Sequence, residues 1–370
     1  MRVKLKDVCE KATSNLKQSD ILSIGGTYPV YGASGYLGNI DSYHQDKPYI
    51  AVVKDGAGIG RTTILPPKSS VIGTMQYLIP KENVMPGYLY YVVKHMRLQK
   101  YYTGATIPHI YFKDYQNEEF NLADSIRQRE IVKVLKNVED TIRYQEIEIN
   151  KFDELIKARF IEMFGDPYTN PLKWEKLKIK DAVTVEPQNG LYKPQSDYVT
   201  DRSGIPILRI DGFYDGIVTD FASLKRLKCS ETEKQKYLLL EDDIVINRVN
   251  SIEYLGKCAH IKGLLEDTVY ESNMMRMHFD PETYNSAYIC KLLCSQFIYD
   301  QIVNHAKKAV NQASINQKDV LNFNIYQPPI DLQNQFADFI QQVDKSREAV
   351  KKSLEKTQQL YDSLMQEYFG

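Results

Sequence analysis

Gly56-Ala57-Gly58-Ile59-Gly60 is the segment most like a phosphate cradle, in which the amides of a glycine-rich loop point at an anion. A cradle needs a helix N-terminus directly after it. Arg61-Thr62-Thr63-Ile64 reads instead as a strand, so the expected structure is a β-turn. No Gly-Lys-Ser or Gly-Lys-Thr is present, which removes the P-loop. Cys290 and Cys294 stand four apart on one face of an expected helix, with no His or Asp clustered beside them in sequence. They read as core packing rather than metal ligands. The six histidines are dispersed. His109, at the junction of a loop and a helix, suits a structural or phosphate-backbone hydrogen bond better than general-base work. Gln327-Pro328-Pro329-Ile330 lacks the Asn or Asp and the aromatic that would grip an extruded base, and is expected to lead into a helix.

What remains is an inventory of polar and basic residues near turns. Tyr31, Ser34, Lys54, Arg61, Lys68, Gln76 and His109 lie in the first part of the chain. Lys193, Arg202, Arg209, Arg248, Asn250, Lys257, Lys262, Asn273, Arg276, Asn311 and Gln312 lie in the later part. Arg reads guanine and Asn or Gln reads adenine in the major groove, so the set suits base readout. Any one member, taken alone, reads as a solvated surface side chain.

Composition bounds the answer. The 370 residues suggest two or three domains at about 100–200 residues each. Hydrophobics at 43% allow a sizeable core. No run of about 20 apolar residues suggests a membrane span, and MRVKLKDVCEKA has no apolar stretch of the signal-peptide kind. Five scattered cysteines without a Cys-x-x-Cys pair predict neither a disulfide framework nor structural zinc, and suit a reducing cytoplasm. With a net charge of −1 the chain is not a uniformly basic nucleic-acid coat, and any DNA binding has to come from local basic surfaces.

The chain repeats itself. Residues 125–165 and 331–370 are both free of Pro and of internal Gly, and both end in Phe-Gly. A shift of 205 (369 − 164) superposes Phe164-Gly165 on Phe369-Gly370. The first stretch carries a seam of Ile131, Leu135, Val138, Ile142, Gln145, Ile149, Phe152 and Ile156. The second carries Phe336, Ile340, Val343, Arg347, Val350, Leu354, Thr357 and Tyr361. Steps of four and three mark a heptad stripe. Two narrow, long stripes of this kind predict helices that pair, with Gln145, Arg347 and Thr357 fixing register. The bland alternative is two amphipathic helices on separate cores. Upstream, Gly104-Ala105-Thr106-Ile107-Pro108 resembles Gln312-Ala313-Ser314-Ile315-Asn316, and Lys113-Asp114 resembles Lys318-Asp319. Phe120-Asn121-Leu122 resembles Phe323-Asn324-Ile325, and Leu5-Lys6-Asp7-Val8 resembles Ile179-Lys180-Asp181-Ala182. The chain is therefore two tandem copies of one unit, the second longer and diverged. In such an arrangement Gly370 returns to the start of the first block.

The expected fold class is α+β, with an internal pseudo-two-fold repeat. Two globular blocks, 1–123 and 167–329, are separated by two long helices, 124–166 and 330–370, paired antiparallel. Strands are expected at 49–53, 61–65 and 70–74, and at 205–210, 243–247 and 257–261. A helix is expected over 86–101 after Pro86. Its counterpart starts at Ser286 as N-cap and runs through Ile302.

At this point the sequence resembles the specificity (S) subunits of type I restriction–modification systems. The resemblance rests on Tyr28-Pro29-Val30-Tyr31-Gly32-Ala33-Ser34-Gly35, on Val53-Lys54-Asp55 with its glycine loop and Arg61, on residues 103–115 from Thr103 to Tyr115, and on the paired helices. It implies two target-recognition domains, each reading half of a bipartite site in double-stranded DNA. The helices would then act as spacer and dock two methyltransferase (M) subunits that bind S-adenosylmethionine. Motor-nuclease (R) subunits would join for cleavage. This chain itself would be non-catalytic, cofactor-free and cytoplasmic. The first block opens without the Gly-Thr-Pro lead-in of many members. The second has Gly204-Ile205-Pro206-Ile207-Leu208-Arg209-Ile210 where the first has Tyr-Pro-Val-Tyr-Gly, so the halves should read different sequences. The rival readings are a recognition fragment of a single-chain restriction-methyltransferase and a coiled-coil scaffold with no DNA role.

Overall fold

A computed structural model describes residues 1–21, 25–104, 108–214 and 216–370. Ala105, Thr106 and Ile107, which carry part of the repeat and of the resemblance, lie outside the described residues. The chain forms two compact units, one of Met1–Ile149 with Val350–Gly370 and one of Asn150–Ala349. Among the described residues no helix is long and apolar enough to cross a membrane.

In the first unit the strand Tyr49–Val53 lies inside a four-stranded antiparallel sheet, between Met75–Pro80 and Thr62–Leu65, with Cys9–Thr13 at the far edge. All five residues of Tyr49–Val53 are buried, which explains why the run is continuously apolar rather than alternating. Tyr28–Gly32, Gly35–Ile40 and Ser70–Val71 form a second, three-stranded sheet. The expected strand 61–65 starts at Thr62 because Arg61 closes the turn. The expected strand 70–74 ends at Val71, since the chain turns back where Met75 N–H donates to Ile72 O. The expected helix over 86–101 is Pro86–His95 followed by a 3-10 turn, Leu98–Tyr101. Arg97 at φ +50° takes a left-handed conformation that an α-helix does not pass through.

The second unit centres on a six-stranded sheet in the order Val183–Asn189, Met274–Phe279, Ile244–Asn247, Cys258–His260, Gly216–Val218 and Phe213–Tyr214. The expected strands are a little shorter in fact: Ile205–Leu208, Ile244–Asn247 and Cys258–His260. The single helix expected from Ser286 is two, Ser286–Leu293 and Gln296–His305. Ser295 is extended and breaks the run. The N-cap is Asn285, not Ser286, and its side chain accepts from Ala287 N–H.

Both long helices are continuous over 40 residues, Ser125–Phe164 and Ile330–Phe369. Every expected seam position is buried or half-buried: Ile131, Leu135, Val138, Ile142, Ile149 and Phe152 in the first helix, Phe336, Ile340, Val343, Val350 and Leu354 in the second. Leu155 and Leu360, which match under the repeat, are both exposed. The pairing is antiparallel within each unit. In the first, Tyr361 Oη donates to Glu139 at 2.9 Å and Gln145 Nε2 donates to Ser353 Oγ at 2.8 Å. In the second, Arg347 pairs with Asp153 and Phe160 packs edge-on against Phe336. Gln145 and Arg347 thus bridge the helices, as expected. Thr357 does not, because its hydroxyl donates to Ser353 O in its own helix. Phe369 shares a core with Val3 and Leu5, so the second helix ends where the first block begins.

The repeat extends to a pair of buried amides. Gln128 accepts from Met85 N–H at 2.8 Å and donates to Asn83 O and Ala123 O. Gln333 accepts from Asn285 N–H at 2.9 Å and donates to Thr283 O and Pro328 O. Each ties the start of a long helix to the start of the shorter helix before it. Trp174, the single tryptophan, donates to Phe164 O in the second unit and reports on that unit's unfolding. We expect Gln333→Ala and the closer-shaped Gln333→Met both to cost about 3 kcal/mol, because either leaves buried backbone groups unpaired. Denaturant melts followed by Trp174 fluorescence check this. A methionine variant as stable as the parent would mean that shape, not hydrogen bonding, is what counts.

Candidate nucleic-acid interface

In the first unit the glycine loop is a hairpin turn, as the sequence implies. Gly60 N–H donates to Val53 O at 2.8 Å and Val53 N–H to Arg61 O at 2.9 Å, with Gly60 at φ +78°. Arg61 reaches the turn between Tyr28–Gly32 and Gly35–Ile40, where its Nη1 donates to Ala33 O at 3.0 Å beside exposed Ser34. On the other side His109 Nδ1 lies 2.7 Å from Asp55 Oδ1, and Ile110 N–H donates to Lys54 O at 2.9 Å. Ser34, Lys54, Arg61 and His109 are thereby gathered around one loop. His109 makes the structural hydrogen bond expected of it.

The second unit builds the same frame from a different sequence. Gly256 N–H donates to Asn247 O at 2.9 Å, Asn247 N–H to Lys257 O at 2.8 Å and Ile315 N–H to Arg248 O at 3.0 Å, with Gly256 at φ +75°. Lys54 N–H donates to Thr74 O, and Arg248 N–H donates to Asn273 O. Lys54 therefore corresponds to Arg248, Arg61 to Lys257 and Thr74 to Asn273. Lys257 is held by two half-exposed rings, its Nζ 4.5 Å from the Tyr214 centroid and 4.2 Å from that of Tyr254. Val249–Asn250 pairs with Ala313–Ser314, which pairs in turn with Lys307–Lys308. That small sheet brings Arg248 and Asn250 to the hairpin carrying Asn311 and Gln312. The hairpin lines an open cavity of about 330 Å³ with Ser251, Ile252 and Glu253.

The other expected residues lie elsewhere. Gln76 is 2% exposed on the strand Met75–Pro80, whose residues up to Leu78 are buried. Arg276 donates to Leu238 O and lies 3.4 Å from the buried Asp243, which also meets His278. Burial pushes the Asp243 carboxyl above its ordinary range, against the pull of Leu240 N–H and Arg276. Gln76 is therefore a core group, whereas Arg276 is half-buried and turned toward Asp243. Lys193 is paired with Glu233 at 2.9 Å. That carboxyl is pulled down to about 2, first by the Ser230 amide and then by Lys193. Arg209 contacts Tyr198, Asp211 and Glu271, so its charge is also offset locally. Tyr31 is half-buried on its strand, edge-on to Tyr36. Lys68, Arg202 and Lys262 are exposed on turns and loops.

The sequence reading passed over Lys307, Lys308 and Val310. All three are exposed, Val310 at 99%, on the same hairpin as Asn311 and Gln312. Under the shift of the repeat, Lys307-Lys308 falls on Tyr102-Thr103, and the first unit has matching bridges from His109 to Asp55 and to Thr103. That correspondence was the signal available. These loops carry Lys, Arg, Asn and Gln, whose chemistry suits phosphates and base edges, on backbones fixed by ladder hydrogen bonds.

Comparison with known proteins places the chain in a family. A family model described as the type I restriction modification DNA specificity domain matches residues 1–152 and 171–359. The chain is 30% identical over 204 residues to the putative type I restriction enzyme MjaX specificity subunit of Methanocaldococcus jannaschii, covering 54% of this chain and 46% of that protein. It is 27% identical over 203 residues to the type I restriction enzyme EcoKI specificity subunit of Escherichia coli K12, covering 53% of this chain and 42% of that protein. The matches thus span less than half the length of these two curated relatives. The crystal structure of a type I restriction-modification S subunit from M. genitalium superposes with TM-score 0.61 at 13% identity, covering 100% of this chain and 96% of that one, a likeness of fold.

Proposed function

Because the chain belongs to the family of type I restriction–modification DNA specificity domains, we propose that it is the DNA-reading subunit of such a system. Each unit reads one half of a bipartite site in double-stranded DNA. The observation that carries this reading is the shared hydrogen-bond frame, which sets Lys54 with Arg61 in one unit and Arg248 with Lys257 in the other at equivalent places. The side chains on the two frames differ, so the two half-sites differ. The chain does no chemistry of its own. Two methyltransferase subunits dock on the paired helices and hold S-adenosylmethionine, motor-nuclease subunits join for cleavage, and the complex acts in the cytoplasm. Selection of bound duplexes from a random-sequence pool, by gel shift with and without the methyltransferase subunit, tests this. Enrichment of two short motifs at fixed spacing is the expected outcome, and binding without sequence preference would overturn it.

The helices serve as the spacer in this reading. One heptad added to each lengthens it by about 10 Å at ~1.5 Å per residue. That is about three base pairs, taking one DNA turn as ~34–36 Å. We expect methylome sequencing of such a variant to show both half-sites unchanged and the gap between them longer. An unchanged gap would refute the spacer role.

A further inference from the structure

Three of the five cysteines meet in the second unit, although their spacing does not announce it. Cys258 lies on the strand Cys258–His260, Cys290 on the helix Ser286–Leu293, and Cys294 caps that helix. Their Sγ atoms all lie within 4.8 Å of one another, and those of Cys258 and Cys294 are 3.4 Å apart. A zinc–sulfur bond of about 2.3 Å with near-tetrahedral angles sets sulfurs about 3.8 Å apart, so one ion spans a triangle of this size.

Two further observations point the same way. A Cβ placed on Gly216 would stand 3.2 Å from Cys290 Sγ, 3.6 Å from Cys294 Sγ and 3.7 Å from Lys291 Nζ. Room beside the sulfurs thus exists because residue 216 has no side chain, and its φ of +90° favours glycine as well. The first unit, moreover, builds the same strand-and-helix frame without thiols. Thr62, the residue after Arg61, stands where Cys258 follows Lys257. Tyr90 and Lys94 stand as far past Met85 as Cys290 and Cys294 stand past Asn285. Packing of the shared frame therefore does not call for three cysteines.

We propose that Cys258, Cys290 and Cys294 form a binding site for a single soft, thiophilic metal ion of the zinc class. Binding forms three sulfur–metal bonds and releases the thiol protons to solvent. Three thiolates and a divalent ion carry one net negative charge, which the neighbouring Lys291 ammonium offsets. Cys258 and Cys290 are buried and Cys294 is exposed, so the ion has a way in past Cys294. Once bound, it ties the strand Cys258–His260 to the helix Ser286–Leu293.

The test is a titration of the full chain, reduced with a phosphine and stripped of metal, with Cd²⁺ as probe. The expected result is thiolate-to-cadmium charge-transfer absorption that saturates at one equivalent and is reversed by excess EDTA, with a higher melting temperature when Zn²⁺ is bound instead. Cys294→Ala removes an exposed side chain, and its folding is checked by Trp174 fluorescence. It should bind more than about 100-fold more weakly, whereas Cys229→Ala should bind like the parent. No absorption at one equivalent would overturn the proposal, and so would equal binding by Cys294→Ala. Failure of the reduced chain to take up metal while air oxidation links Cys258 to Cys294 would overturn it too, and would identify a redox pair instead.

Discussion

A chain ending at Gly165 is expected to sediment as a symmetric dimer rather than as a monomer. In the full chain, Ile131 and Leu135 share a core with Tyr361, Met365 and Phe369, and Val138, Ile142 and Leu364 pack against it. Removing the second half uncovers that face, and each such side chain contributes roughly 1.5–3 kcal/mol when fully buried. The repeat says what a second copy offers in place of the missing helix: Ile156 for Tyr361, Phe160 for Met365, Phe164 for Phe369 and Ile149 for Leu354. These residues are apolar and of comparable bulk, and an isologous contact of two identical helices is the commonest way to cover such a face. The links from Tyr361 to Glu139, from Gln145 to Ser353 and from Arg347 to Asp153 are lost, but Glu139 keeps Tyr91 and Lys94 as partners, and Glu148 stands in the place of Ser353 as an acceptor for Gln145. Ile142 takes the place of Arg347, so the new seam is more apolar than the native one. On the function proposed above, the dimer supplied with a methyltransferase subunit should methylate a palindrome built from the first half-site twice. Sedimentation of a folded monomer at micromolar concentration would contradict this, as would a methylated site that is not palindromic.

The helices and the hairpin were legible in the sequence because each rests on local geometry. A heptad stripe needs only the spacing of apolar residues along one helix, and Ile131, Leu135, Phe336 and Val343 carry it plainly. Gly60 sits at φ +78° and Gly256 at +75°, and the hairpin keeps a glycine there because other side chains rarely take that conformation. Almost nothing else in the second loop matches the first: Val249-Asn250-Ser251-Ile252-Glu253-Tyr254-Leu255 replaces Asp55-Gly56-Ala57-Gly58-Ile59 and is longer. The equivalence of Lys54 with Arg248 is therefore visible only in backbone hydrogen bonds. Burial of polar residues was hidden for another reason. Arg276 reads as a surface charge until Asp243, distant in sequence, is seen beside it just ahead of the neighbouring strand. Cys258 joins Cys290 and Cys294 across a strand-to-helix contact that no local pattern encodes.

These placements divide the basic residues of the second unit into three groups with different expected behaviour on DNA. Lys307 and Lys308 are exposed on a hairpin and form no ion pair among the described residues, which suits contact with phosphates. For the double variant Lys307→Ala/Lys308→Ala, binding should weaken for all sequences alike, and the slope of log affinity against log salt should fall by about 1.8, or ~0.9 per phosphate contact. Arg248 is half-buried, its Nη1 held at 3.0 Å by Ser272 O, and its backbone is fixed on both sides. A side chain so positioned suits base readout. For Arg248→Ala we expect a loss of about 1–3 kcal/mol of discrimination, confined to one position of the second half-site. The first half-site and the salt slope should stay as they were. Lys193 is the control, since Glu233 already holds its ammonium, and Lys193→Ala should leave affinity, target and salt slope unchanged. Binding measured across a salt series, together with selection from a random pool for each variant, separates the three. Uniform weakening by Arg248→Ala, or a relaxed second half-site in the lysine double variant, would reverse the assignment and move base readout from the loop to the hairpin.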